Sequence, residues 1–488
     1  MPKQVSPGGG AARAGAPGLA AELAERTLSL DPSALDPRTV AAATHYTIDA
    51  LGVTLLGSGA EHTRLLLDTP GIAEGGPCRI FGTTRRASAL DAALVNGTAS
   101  HAYDFDDFNE LFGGHPSVPV LSAVLPLAEA RGASGREVLA AYVAGVEAES
   151  RIAMGVHFHH YEKGWHPTST LGTLGAAAGC GFLLGLDVPR LAHALSIAAS
   201  LASGFKANFG SMTKPLHVGH SARNGVFAAL VAERGFTASP RAFEHPQGFL
   251  EVFNGAGTYD VERMLGRWYD PPLVLEPGVS LKQFPCCGST HPAIAMALDL
   301  RRRHHIDPTT VTRVEVLTHP RRLPHTDKAD PRNGLDGKFS MQYCVARALA
   351  DGRVSLDHFE DEAVGDPAVR ALMARVEVGV EPEMATRADR AFGAVVTVHR
   401  DAAEPVSARV EHMVGRGPDN PMRDDELADK FHDCARRALA PDRARAALAA
   451  AHELDRLERV ERLTELLTPG GAASPVAADH GERATARA

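Results

Sequence analysis

Apolar and polar positions alternate with helical periodicity through the first half of the chain, from about Leu19 to Val252. Asp31 and Ser33 offer a helix start ahead of a run over 34–52. Residues 118–130 are apolar at helical spacing and stop at Arg131-Gly132. Ser134 then precedes Glu137 by three positions, the spacing of a capping box, and predicts an amphipathic helix over 136–153 with an Ala/Val face. Residues 170–185 are so rich in Gly and Ala that a helix buried on all sides is expected. Asp187 and Pro189 open another helix through Ala202, and 221–235 forms one more.

The period changes after about Leu275. Residues 312–317 and 376–380 alternate as strands, and Val-containing runs at 394–399 and 406–412 flank Asp401–Pro405, a hairpin signal. Helical stretches lie between them at 291–304, 340–349 and 368–373, and beyond Met422 the chain is helical again over 424–467. The fold class expected is therefore mostly α with an inserted α/β module. A large all-α domain is built from both chain ends (18–274 and 416–467), and a smaller α/β domain occupies 275–415. The Gly/Ala/Pro-rich ends, 1–17 and 468–488, are expected to be disordered.

Composition sharpens this in a few places. A chain of 488 residues exceeds what one core usually serves, so two domains are the default. Aromatics are only 6%, which favours helices packed closely through small residues. The net charge of −9 comes with no basic stripe, so no nucleic-acid partner is expected. The six cysteines are scattered and form no C-x-x-C pair, which speaks against a disulfide scaffold, a zinc ribbon or an iron–sulfur cluster. Neither a basic leader followed by an apolar run nor a membrane-length apolar stretch is present. A cytoplasmic protein with no membrane partner is the expectation.

Five segments carry chemistry. His101-Ala-Tyr-Asp104-Phe-Asp106-Asp107, running on to His115-Pro-Ser117, sets three carboxylates beside histidines in a Gly/Pro-marked loop. That suits proton transfer, and equally a solvated acidic loop. His157-Phe-His159-His160 and His166 put four histidines in ten residues, which suggests either metal or an exposed His-rich loop, and His166 stands before the glycine-rich helix. Thr213-Lys214-Pro-Leu-His217, between two helices, offers a lysine for a carboxylate. Lys282-Gln-Phe-Pro285-Cys286-Cys287 falls at the domain junction, where ligand sites concentrate, and Cys287 is a proton donor or a small buried hydrophobe. Lys338-Phe-Ser-Met-Gln-Tyr343 begins a helix, with Tyr343 in the core or at the site.

Taken in order, Asn96-Gly97…His101…Asp104-Phe-Asp-Asp107…His115-Pro-Ser117, Thr213-Lys-Pro-Leu-His217, Lys282-Gln-Phe-Pro285-Cys and Lys338-Phe-Ser…Tyr343 resemble the MmgE/PrpD family. That family includes 2-methylcitrate dehydratase, cis-aconitate decarboxylase and iminodisuccinate epimerase. The resemblance runs from about residue 19 to 467. It implies a large helical domain and a smaller α/β lid, usually as a homodimer, with a cleft site that uses no metal or organic cofactor. It also implies Asp104, His115, His166, Lys214 and Lys282 as catalytic residues, and Thr213, His217, Cys287 and Tyr343 as substrate contacts. Two positions depart from the decarboxylase branch. Phe108 stands where that branch has threonine, with one extra residue before His115, and Cys287 stands where it has histidine. The segment around Thr213-Lys214-Pro215 also differs from the usual bacterial methylcitrate dehydratase.

The function expected on this basis is a cofactor-independent lyase forming a carbanion beside a carboxylate of a small di- or tricarboxylate. Dehydration is the leading reaction, with decarboxylation or epimerisation as alternatives. Lys214 and Lys282 would offset developing charge, His115 or His166 would move the proton, and Asp104 would orient one of them. Two rivals come from other classes. One is a terpenoid enzyme, since Asp104-Phe-Asp106-Asp107 has the Asp-x-Asp-Asp form, but its aromatic lining is missing here. The other is a non-catalytic carboxylate-binding relative.

Overall fold

A computed structural model of the chain describes residues 18–470, apart from 112, 388–391, 414, 419 and the side chain of His157. The terminal segments expected to be disordered, 1–17 and 468–488, lie outside the described residues except for 468–470.

The helices begin where the chain supplies caps. Ser134 and Glu137 close the expected capping box, and the helix they start runs the full length of Gly135–Glu162. Asp187 caps Val188–Leu201 by accepting the Arg190 N–H. The start read at Asp31–Ser33 is only a short 3₁₀ turn. The helix proper is Pro37–Gly57, because Asp36 accepts the Arg38 N–H and Pro37 pre-sets the first helical φ. The glycine-rich helix Pro167–Leu183 is buried along nearly its whole length. It packs against Gly135–Glu162 on one side and Thr213–Glu233 on the other. The second approach is close: a Cβ on Gly225 would sit 2.8 Å from the Ala176 carbonyl carbon, so only glycine fits there.

The α/β part carries a four-stranded sheet in the order Val376–Val380, Val311–Thr318, Ala394–Arg400, Ala403–Val410. The first pair is parallel and the others antiparallel. The hairpin is tighter than the five residues expected from sequence, since pairing resumes at Ala403 after Ala402 at φ 53°. Pro405 is tolerated because its strand is at the edge. Helix His291–His304 packs on the last two strands.

One hydrophobic core takes in residues from Leu35 to Leu281 together with Met422 to Leu467, and another gathers residues from Phe284 to Ala408. The first of the C-terminal helices, Asp424–Ala435, lies on Pro37–Gly57. The structure is mostly helical with a small α/β module, as expected. Among the described residues, no helix is long and apolar enough to cross a membrane.

Candidate active site

Helix Ala89–Ser100 ends at His101, and the chain turns sharply through Asp104, a non-glycine residue at φ 54°. Aspartate tolerates this left-handed conformation better than most residues, and such strain is held in place only when its surroundings over-determine it. The holding groups are lysines. Lys338 Nζ donates to Tyr103 O at 3.1 Å, Lys282 Nζ to Asp104 O at 2.5 Å, and Lys430 Nζ to Phe105 O at 2.9 Å. Three successive carbonyls are thus gripped by ammonium groups from three distant parts of the chain. Lys430, on the C-terminal helix, also donates to Lys282 O and pairs with buried Asp49 at 2.5 Å.

The Asp104 carboxylate gathers the chemistry. Its Oδ1 is 2.9 Å from Lys214 Nζ, 3.2 Å from Lys282 Nζ and 3.5 Å from His115 Nε2. Burial alone would raise the Asp104 pKa, but Lys214 and Lys282 outweigh it and hold the carboxyl well below its usual range. Burial would likewise lower Lys282, yet Asp104 and Asp106 raise it. Lys214 projects from the first turn of Thr213–Glu233, with its ammonium 5.2 Å from the Phe209 ring centre.

The imidazoles form a chain behind this cluster. His115 Nδ1 lies 3.0 Å from Asp106 Oδ2, and His101 Nδ1 lies 2.8 Å from the same oxygen. The His101 and His115 rings are 4.6 Å apart, and the His101 and His166 rings 5.8 Å. His166 caps the glycine-rich helix, and its Nδ1 is 3.1 Å from His217 Nδ1. Burial pushes His101 and His217 down to about 4 and His166 well below its normal value, with neighbouring cations adding to the effect. His166 is therefore neutral near pH 7, able to accept a proton. Asp106 is held well below its usual range because His101 and His115 outweigh its burial, whereas burial drives adjacent Asp107 well above it.

His101, Asp104, Asp106 and His115 offer ligand atoms within 4.8 Å of one another, a spacing a metal ion accepts. Asp104 Oδ1 already carries two ammonium groups, however, so a divalent cation there would be pressed against Lys214 and Lys282. The donor set balances its charge with the lysines and does not fit a resident cation. Among the described residues, the other histidines of the His-rich segment do not converge on a shared site either. His159 and His160 belong to the helix Gly135–Glu162, where a loop had been an option, and His160 spends both ring nitrogens on Asn254 and Thr170.

Of the residues read from sequence, Asp104, His115, Lys214 and Lys282 meet directly, and His166 and His217 join them through the imidazole chain. Cys287 is half-buried beside Lys282, its N–H donating to Lys338 O at 2.9 Å, and burial raises its thiol. Thr213 begins its helix with its N–H held by Ser211 Oγ, and none of its described contacts reaches Asp104. Lys214 and its neighbours thus lie inside a first helical turn, not in a loop between helices. Tyr343 corrects the expectation of a substrate contact. It is fully buried in the α/β core, and its hydroxyl is taken up by His358 O and by Arg347 Nε. Lys338 ends the short helix Gly334–Lys338 and does not begin the next one, which starts at Met341 behind Ser340. Three participants were given no individual role from sequence: His101 and Asp106, which lie in the acidic segment singled out there, and Lys430. The first two share a turn with Asp104, which is a readable signal; a lone lysine on an amphipathic helix is not.

The chain matches the model of the MmgE/PrpD N-terminal domain over residues 21–262 and that of the MmgE/PrpD C-terminal domain over 284–456. It is 28% identical to a cis-aconitate decarboxylase of Mus musculus over 437 residues, covering 86% of this chain and 87% of that one. It is also 28% identical to the Homo sapiens protein of the same name over 447 residues, covering 89% and 91%. A 2-methylcitrate dehydratase of Cupriavidus necator is 27% identical over 439 residues, covering 84% and 89%.

Proposed function

The chain belongs to the MmgE/PrpD family, and on that basis we propose that it is a cofactor-independent lyase acting on a small tricarboxylic acid, with dehydration as its reaction. The observation that carries this reading is the convergence of Lys214, Lys282 and His115 on one half-buried carboxylate, with a neutral imidazole, His166, behind them. Removing a proton from carbon beside a carboxylate builds negative charge on the carboxylate oxygens. Fixed ammonium groups in a site with little water offset that charge more strongly than water does.

The step balances with the chain's own groups. A neutral imidazole, the role assigned to His166, takes the proton from the carbon α to a carboxylate. The freed electron pair becomes the carbon–carbon double bond as the β-hydroxyl leaves. His115, with Asp106 facing Nδ1 and Asp104 facing Nε2, delivers a proton to that hydroxyl, so water departs. Loss of water needs both a base and an acid, and a histidine pair of this kind supplies them. Asp104 itself orients His115 and the two lysines.

Decarboxylation is the second reading, favoured by the mouse and human relatives named above. There the carbon–carboxylate bond breaks and only a proton donor is required. Phe108, whose ring is 6.0 Å from that of His115, also borders a cavity of about 520 Å³.

The test is proton NMR of the purified protein with chelator in D₂O, given 2-methylcitrate, citrate, cis-aconitate and iminodisuccinate in turn. A new alkene signal with loss of water supports dehydration. Release of CO₂ from cis-aconitate supports the second reading, and deuterium at an α-carbon without elimination points to epimerisation. No change with any acid favours a non-catalytic carboxylate-binding protein. A cytoplasmic homodimer belongs to the same proposal and is read by sedimentation and by fractionation of the source cells.

A further inference from the structure

The three lysines that hold the carbonyls of Tyr103, Asp104 and Phe105 are not equivalent. Lys430 has Asp49 and Lys282 has Asp104, each within ion-pair distance. Lys338 is 9% exposed, and among the described residues it has no carboxylate at ion-pair distance, although Asp104 and Glu360 act on it from farther off. Its ammonium donates one hydrogen bond, to Tyr103 O, and lies 4.9 Å from the Tyr103 ring centre and 5.9 Å from that of Phe359. An ammonium buried without a counter-charge in direct contact is expensive, and the expense is relieved when an anion reaches it. Burial indeed lowers Lys338 to about 8, although Asp104 pulls the other way.

Position adds to the charge argument. Tyr103 O and Asp104 O are successive carbonyls, so the ammonium of Lys338 stands next along the loop from that of Lys282. Its own carbonyl anchors Cys287. Lys338 is thus the cation that the α/β module brings to the Asp104 cluster. Lys214 and Lys282 are already engaged by Asp104. Lys338 keeps two N–H groups for a ligand.

We infer that Lys338 is a specificity-determining residue: it receives a carboxylate of the substrate remote from the reacting carbon, and so selects tricarboxylates over dicarboxylates of the same chain length. This rests on the proposed lyase reading and names the part of the site that counts carboxylates. The competing account is structural, with Lys338 serving only to clamp the Tyr103 carbonyl.

Lys338→Gln separates the two, because an amide still donates to Tyr103 O but carries no charge. The full-length protein is titrated calorimetrically with propane-1,2,3-tricarboxylate and with propane-1,3-dicarboxylate, neither of which has a leaving group. In Lys338→Gln the tricarboxylate is expected to bind about 10- to 100-fold more weakly, the loss typical of one charge-assisted hydrogen bond. The dicarboxylate is expected to change by less than about threefold, and Lys338→Arg to retain most of the preference. Lys338→Met serves as the second variant; removing an unpaired buried charge should leave its melting temperature at or above that of the wild type.

Equal weakening of both anions, or of neither, overturns the inference and leaves Lys338 as a clamp. Two failures are distinguishable. A wild type that turns over an acid while Lys338→Gln keeps its selectivity overturns this inference alone. A wild type that turns over no acid and binds neither anion overturns the lyase reading, and this inference with it.

Discussion

Replacing Asp104 by Asn keeps the size of the side chain and removes one charge, and it tests whether this carboxylate organises the site. In the native protein one oxygen faces two ammonium groups and an imidazole, at 2.9, 3.2 and 3.5 Å. Breaking a fully buried ion pair costs about 3–5 kcal/mol. The Asp104 side chain is 29% exposed and that of Lys214 is 18% exposed, while Lys282 is only 5% exposed. Solvent near Asp104 and Lys214 reduces the cost, and a loss of about 1–3 kcal/mol is expected for Asp104→Asn. Turnover should fall by more than that loss implies, because Lys214, Lys282 and His115 all lose their common anchor: kcat/KM should drop by about 10²- to 10³-fold. The pH dependence has a definite sign. A carboxyl held below its ordinary value stabilises the fold fully above the unfolded value near 3.9, and that contribution is lost as pH falls through the folded value. The stability gap between wild type and Asp104→Asn should therefore be constant above about pH 5 and narrow progressively as pH falls below about 4, as read from urea unfolding. A variant within about threefold of wild-type kcat/KM, with an unchanged acid limb, would refute the reasoning.

Four further outcomes are expected. His115→Ala and His166→Ala should each lower kcat by about 10²-fold or more on the acid that is turned over, and near-normal turnover in both would remove them from the mechanism. Since burial keeps His166 neutral well below its ordinary value, the acid limb of kcat/KM should lie below about pH 6.5, the usual histidine range; a limb at or above that pH would contradict its role as base. Exhaustive chelation should leave activity intact, and loss of activity restored by Zn²⁺ or Mg²⁺ would show that the His101–Asp104–Asp106–His115 group holds a metal after all. Lys430→Met should cost about 3–5 kcal/mol by stranding Asp49, and the double variant with Asp49→Asn should recover much of it; additive losses would mean that the pair is not coupled.

Much of the helical framework was legible because it is written in local chemistry. Ser134 and Asp187 each announce a helix start through a side chain that accepts a backbone N–H, whereas the start read at Asp31 and Ser33 belongs to Asp36, five residues on from Asp31. The strands were legible where Val alternates, and the hairpin was misjudged only in length, because Pro405 reads as a breaker unless its strand is known to be an edge. The site was legible where several charged residues cluster in sequence. Lys430 was not, since its neighbours on an amphipathic helix mark it as a solvated lysine, and only the fold brings it 2.5 Å from Asp49. Tyr343 was misread for the opposite reason: its closeness in sequence to Lys338 suggested a shared role, but the Ser340-capped helix turns it into the α/β core. The pairing of His166 with His217, and their link to His115 through His101, depend on helices that meet only after folding.

The grip of Lys430 on the loop also dates the site in the life of the molecule. The residue that holds the Phe105 carbonyl follows it by 325 positions. At about 5–20 residues per second, roughly 16–65 s separate their emergence from the ribosome. For that interval the nascent chain carries Asp104 and its neighbours without their last support, and Asp49 waits without its cation. Competence therefore arrives late: a chain interrupted before Asp424–Ala435 would hold most of the reactive groups without the lysine that braces their loop, so truncated products should be weakly active at best.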